Sequence, residues 1–231
     1  MKTIGMIGGM SWESSSEYYR IINEEIKRRL GGLHSAKCIL YSVDFDEIEK
    51  CQSENRWDEA GQILGDAAFS LEKAGAGFIL ICTNTMHKVI DQISQKISIP
   101  ILHIADETAI QIKKHGMKKI GLLGTKYTME HDFYKLRIES QDIEVLIPDE
   151  EERDVINKTI FNELCFGNIQ ESSRDCFKRI IGNLVSEGAE GIILGCTEIG
   201  LLIKQEDASV PLFDTTVIHA HGAVEKALNI K

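Results

Sequence analysis

Short continuous apolar runs alternate along the chain with longer stretches in which apolar residues recur every three or four positions. Thr3 to Ile7, Lys37 to Val43, Phe78 to Ile81 and Ser98 to His103 read as strands. The stretch after Gly8-Gly9 to about Leu30, Trp57 to Ala74, Met86 to Ile93 and Ala105 to His115 read as helices. In the second of these Ile63, Leu64, Ala67 and Leu71 share one stripe. Asp44 to Arg56 reads as a polar connection, in which Gln52 is an ordinary solvated side chain. At Lys119 the alternation restarts. Strands at Ile120 to Gly124, Ile143 to Leu146, Gly191 to Leu194 and Val210 to Phe213 are interleaved with helices at Tyr127 to Glu139, Val155 to Phe166, Ser173 to Glu187 and Thr216 to Asn229. Such regular alternation predicts an α/β fold with parallel sheets, whose ligands sit beyond the strand C-termini.

The restart is a repeat. Gly75 to His87, GAGFILICTNTMH, aligns with Gly188 to Leu201, GAEGIILGCTEIGL, and the shift from Gly75 to Gly188 is 113 positions. Thr83 then falls opposite Cys196, Asn84 opposite Thr197 and Cys82 opposite Gly195. Ile4-Gly5-Met6-Ile7-Gly8 is mirrored by Ile120-Gly121-Leu122-Leu123-Gly124, where the shift from Gly5 to Gly121 is 116. A duplicated βα unit of this kind predicts two pseudo-symmetric lobes, each a parallel sheet flanked by helices. The last strand and helix read as returning to the first half. The expected lobes are therefore 1–104 plus 211–231, and 105–210, with the Thr83 and Cys196 strand ends facing each other across a cleft.

Composition narrows the function. The formal charge of −10 over 231 residues, spread along the chain, argues against a nucleic-acid partner. No apolar run approaches a membrane span, and the N-terminal segment lacks signal-peptide character, so a cytoplasmic protein is expected. Six cysteines without CxxC or Cys/His ligand spacing read as free thiols. His219 and His221, two apart on a helix, do not share a face for a metal.

Gly8-Gly9 before a helix leaves two readings open: a turn whose amides bind a carboxylate, or a tight connection with no ligand. Cys196 ends an apolar strand just before Thr197-Glu198-Ile199 open a helix. A thiol there suits acid/base work, because a helix N-terminus or a cation can lower its ordinary value of about 8.5. Stereoinversion needs such groups on both faces of one carbon. Cys82 points to the face opposite Thr83 and reads as structural. His87 reads as a capping or packing residue, with orientation of Thr83 as the alternative. Glu198 reads either as a partner for the helix dipole or as a group that tunes Cys196 or meets an ammonium.

Gly8-Gly9-Met10-Ser11-Trp12-Glu13-Ser14, Thr83-Asn84-Thr85-Met86-His87, Gly124-Thr125 with Tyr127-Thr128-Met129, Gly195-Cys196-Thr197-Glu198 and Phe213-Asp214-Thr215-Thr216 resemble, in order, the signature segments of the aspartate/glutamate racemase family. The pattern is similar to that of the enterobacterial L-aspartate/glutamate-specific branch. The resemblance implies a PLP-independent isomerase of amino acids that needs no cofactor or metal, and commonly a homodimer. It also implies an α-carboxylate held near Met10, Asn84, Thr85 and Thr197, with Gln52 and Ser53 on the side-chain end, and Thr125 and Glu198 also at the substrate. Arg56 follows the Gln52 segment and is a candidate cation for a distal carboxylate. The family pattern has Cys-Asn-Thr where this chain has Thr83-Asn84-Thr85, so Cys196 would be the thiol acid/base and Thr83 its weaker partner. A single-cysteine relative, a decarboxylase or cis-trans isomerase of small dicarboxylates, and a silent carboxylate-binding protein remain the alternatives.

Overall fold

A computed structural model describes residues 1–229. The chain packs into two units, Met1–Ile104 with the stretch from His219 onward, and Ala105–Ile218.

The first unit holds β1 (Ile4–Gly8), β2 (Cys38–Ser42), β3 (Phe78–Ile81) and β4 (Ile101–Leu102), parallel and in the order β2-β1-β3-β4. Around them lie α1 (Trp12–Leu30), α2 (Phe45–Ser53), α3 (Trp57–Lys73) and, after a 3-10 turn at Thr85–Val89, the short α4 (Ile90–Ser94). Ser11 starts α1 by accepting the Ser14 amide on its hydroxyl at 3.3 Å, and Lys27, Arg28 and Arg29 sit in its last turn, complementing the helix dipole. Ile7, Ile79 and Ile81 project from one face of the sheet onto Leu64, Ala67, Ala68 and Leu71 of α3 and Ile48 of α2, all buried. That burial of one sheet face by a helical stripe sets the register, since a one-residue slip would turn the isoleucines away.

The second unit repeats the plan. β5 (Lys119–Gly124), β6 (Glu144–Leu146), β7 (Ile192–Gly195) and β8 (Leu212–Asp214) are parallel in the order β6-β5-β7-β8. Its helices are α5 (Ile104–Lys114), α6 (Lys126–Glu130), α7 (Asp132–Glu139), α8 (Glu150–Asn162), α9 (Glu171–Ser186), the single turn α10 (Ile199–Leu202) and the start of α11 (Thr215–Leu228), with 3-10 turns at Leu164–Phe166 and Gln205–Asp207. The duplication extends to the pairing: Gly5 lies beside Ile79 and Gly121 beside Ile192, Ile7 beside Ile81 and Leu123 beside Leu194. The repeated glycine has one physical cause. A Cβ on Gly5 would lie 2.8 Å from Ile79 Cδ1, and one on Gly121 2.6 Å from Ile192 Cδ1.

Three expectations are corrected. Asp44 to Arg56 is not an open connection: Asp44 accepts the Asp46 amide at 3.2 Å and begins α2, which buries Ile48, Cys51 and Gln52. Tyr127 to Glu139 is two helices, because His131 adopts extended backbone (φ −87°, ψ 148°) between α6 and α7. The last strand does not rejoin the first half. β8 pairs with β7, and the division falls inside α11 between Ile218 and His219, eight residues beyond the expected start at 211.

Candidate functional site

Each unit presents a polar segment just beyond its third strand. In the first, the Cys82 amide still bonds to Ile7 at 2.9 Å and its carbonyl accepts the Ser14 hydroxyl at 3.1 Å, which ties the strand end to α1. Thr83 is half-buried, while Asn84 and Thr85, where the 3-10 turn begins, are buried. Cys82 has no exposure, and burial pushes its thiol up. Its echo Gly195 has no room for a side chain, since a Cβ there would meet the Leu123 carbonyl at 2.8 Å.

Tertiary packing brings Gln52 to this segment. It is buried, and its Nε2 donates to Met86 Sδ at 3.0 Å, joining α2 to the 3-10 turn. The expectation of a solvated Gln52 fails because α2 is a packed helix. Ser53 stays exposed, its hydroxyl on the Lys50 carbonyl at 3.3 Å. Arg56 pairs with Glu54 at 2.7 Å and with Glu59, so its charge is engaged by neighbouring carboxylates. Met10 packs its side chain into the core with Ile48, Cys51 and Met86.

The glycine turn is explained by its own packing. Gly9 has φ +93°, and a Cβ there would lie 2.1 Å from the Val43 carbonyl oxygen, so only glycine fits. The Gly9 amide donates to Ser15 Oγ at 2.8 Å, and the Ser14 amide is taken by Ser11. Two of the amides that an anion would use already have partners inside the protein.

In the second unit Cys196 and Thr197 are half-buried and Glu198 is buried. Cys196 Sγ donates to Glu198 Oε2 at 3.0 Å, and Thr197 Oγ1 donates to the same oxygen at 2.6 Å. Burial first, and then the Glu198 carboxylate, hold the Cys196 thiol well above its ordinary value. The sequence suggested a lowering by a helix N-terminus. That helix is the four-residue α10, too short to sum a useful dipole, and a carboxylate rather than a cation faces the sulfur. Thr125 caps α6, its hydroxyl 3.4 Å from the Thr128 amide and 3.2 Å from the Thr128 hydroxyl. Thr215 Oγ1 donates to the Leu194 carbonyl at 2.8 Å, which pins the signature segment at the end of β8 to β7, and Asp214 Oδ1 accepts the Thr216 amide at 2.9 Å at the start of α11.

The serines at positions 11, 14 and 15 carry much of the local order, and sequence reasoning did not single them out by role. A Ser-rich start of α1 was the available signal. Among the described residues no group of three or more His, Cys, Asp or Glu is arranged to hold a metal. No described helix is long and apolar enough to cross a membrane.

Two four-stranded parallel sheets flanked by helices are the architecture of the solved structures related to Asp/Glu racemases. The Asp/Glu/Hydantoin racemase family model matches residues 7–223, and the chain belongs to this family of isomerases. It is 25% identical to the broad specificity amino-acid racemase RacX of Bacillus subtilis, over 97% of this chain and 98% of that one. A crystal structure from Yersinia pestis, named provisionally as an Asp/Glu racemase, is 57% identical with a TM-score of 0.93, covering 99% of this chain and 100% of that one. An aspartate racemase homologue from Pyrococcus horikoshii is 41% identical with a TM-score of 0.84, at 99% and 100% coverage.

Proposed function

We propose that this protein racemises an acidic amino acid, aspartate or glutamate, without a cofactor, with Cys196 as thiol acid/base on one face of the α-carbon and Thr83 serving the other. The observation that carries the reading is the Cys196 Sγ to Glu198 Oε2 contact at 3.0 Å, a thiol with a proton acceptor already in hydrogen-bond reach. At rest the sulfur keeps its proton, since burial and the neighbouring carboxylate both disfavour the thiolate. Transfer of that proton to Glu198 leaves a thiolate and a neutral acid. The thiolate takes the α-proton of the substrate, and the carbanion is quenched by a proton delivered from the Thr83 side. Run in reverse, the thiol donates.

A threonine hydroxyl is a much weaker acid than a thiol, so Thr83 acts as a relay or donor with solvent rather than as a free base. In this scheme the α-carboxylate meets Met10, Asn84, Thr85 and Thr197, Gln52 takes the side-chain end, and the substrate ammonium offsets the Glu198 charge. The buried Gln52 beside Met86 supports its part, whereas Ser53 and Thr125 already have local hydrogen-bonding duties. The working form in this reading is a homodimer in the cytoplasm.

The test follows the α-proton of L- and D-aspartate and L- and D-glutamate by NMR in D₂O. Wild type should invert the substrate with deuterium uptake, and Cys196→Ala should lose roughly 10²- to 10⁴-fold in rate. Undiminished racemisation by Cys196→Ala sinks the assignment. Exchange without inversion by the wild type points instead to one-base chemistry, as in the single-cysteine alternative.

A further inference from the structure

His87, His103, His219 and Tyr18 are buried together in the first unit, and none of them belongs to the groups the proposed reaction uses. The His87 ring centroid lies 4.5 Å from that of His103 and 5.9 Å from that of His219, and His219 meets Tyr18 edge-on at 5.7 Å. Their partners assign the tautomers. His219 Nε2 is 2.9 Å from the Leu102 carbonyl and must donate, so its Nδ1 accepts the Tyr18 hydroxyl at 2.9 Å. His87 is the other way round: Nδ1 donates to the Thr83 carbonyl at 2.9 Å, and Nε2 accepts the Ile104 amide at 3.3 Å.

The bond to Thr83 fills a specific vacancy in the backbone pattern. In an α-helix the amide of residue 87 would bond to the carbonyl of residue 83. Here the turn is 3-10, and the His87 amide goes to the Asn84 carbonyl at 3.1 Å. The imidazole replaces the missing backbone donor and braces the end of β3 against the residue that follows β4 and His103. Because the peptide group is planar, holding the Thr83 carbonyl also fixes the direction of the Asn84 amide. The second unit has no such brace. The equivalent carbonyl, that of Cys196, is taken by the Ile199 amide at 3.1 Å. The position that echoes His87 is Gly200, where a Cβ would stand 2.5 Å from Asp214 Oδ2.

We propose that His87 is a positioning residue for the Thr83 half of the reaction, holding Thr83 and the Asn84 amide in place through the Thr83 carbonyl while leaving the Cys196 half untouched. This rests on the racemase reading. Because the two enantiomers are equal in energy, kcat/KM falls equally in both directions, and the diagnostic is the ratio of solvent exchange to inversion for each enantiomer.

The test compares His87→Asn, whose amide nitrogen takes the place of Nδ1 and keeps the bond to Thr83, with His87→Gln, whose amide oxygen takes the place of Nε2 and accepts the Ile104 amide while the bond to Thr83 is lost. His87→Gln should lower inversion roughly tenfold to a hundredfold while deuterium uptake by the enantiomer whose α-proton meets Cys196 stays within about twofold of wild type. His87→Asn should restore most of the inversion. Packing alone predicts the reverse order, since asparagine leaves the larger void. Equal loss of exchange and inversion in His87→Gln, or His87→Asn no better than His87→Gln, overturns the role of His87 alone. A wild type that neither exchanges nor inverts any tested amino acid overturns the racemase reading and the role together.

Discussion

Gly121 offers a quantitative check on why the two halves share a glycine in their first strand. In Gly121→Ala the new methyl would lie 2.6 Å from Ile192 Cδ1 and 3.0 Å from Leu184 Cδ1, where carbon atoms at rest sit about 3.5–4.0 Å apart. Ile192 and Leu184 are both buried, so neither can swing into solvent. Overpacking of this kind costs about 1–3 kcal/mol. Replacing a strand glycine returns roughly 0.5–1 kcal/mol of backbone entropy, so the steric term wins and the net loss should be about 1–2 kcal/mol. Ile192→Val removes the clashing Cδ1 and alone should cost about 0.5–1.5 kcal/mol. The double variant fills the space that the isoleucine vacates, so it should be more stable than the sum of the single losses by at least about 1 kcal/mol. Urea unfolding followed by circular dichroism, with hydrogen exchange on strand β5 amides to localise the effect, reads the cycle. Additive losses would refute the claim that Ile192 is what keeps residue 121 a glycine.

Two further outcomes follow from the charged groups. In Glu198→Gln the carboxylate facing Cys196 Sγ is gone, so the thiol should titrate at lower pH than in wild type, though still above its ordinary value because burial remains. The pH dependence of alkylation at Cys196, with Cys196→Ala as background, measures this, and an unchanged or upward midpoint would contradict it. Glu25, buried on α1, is lowered from 4.5 to about 2, first by its bond to Arg28 and then by Arg29, against an opposing push from burial. Its folded value lies below its unfolded value, so its contribution to stability is complete above pH 4.5 and drains away as pH falls toward 2. Melting temperatures of wild type and Glu25→Gln should therefore converge over that window, and parallel curves would argue against the linkage.

Much of the fold was readable because it was written twice. The periodicity of Phe78 to Ile81 and of Gly191 to Leu194 marks buried parallel strands, and the repeat that sets Gly5 opposite Gly121 marks the duplicated unit, whose two copies pair alike in the structure. The alignment of Thr83 with Cys196 needs only the sequence, since local pattern and composition determine strand identity and order. The helix α2 escaped notice because its inward face is Ile48, Cys51 and Gln52, too polar to stand out as a stripe. Where β8 belongs was also hidden, because a strand's periodicity is the same whichever sheet it joins.

What only the tertiary structure decided is the state of the groups beyond the strand ends. Sequence placed Cys196 before a helix, but the length of that helix and the nearness of Glu198 determine that the thiol is raised rather than lowered. It placed His87 four residues after Thr83, but whether the Thr83 carbonyl meets an amide or an imidazole depends on the turn being 3-10. Both follow from one physical fact. Hydrogen-bond partners and dielectric surroundings are set by which atoms lie within about 3 Å in space, and a sequence fixes residue type and period without stating that distance.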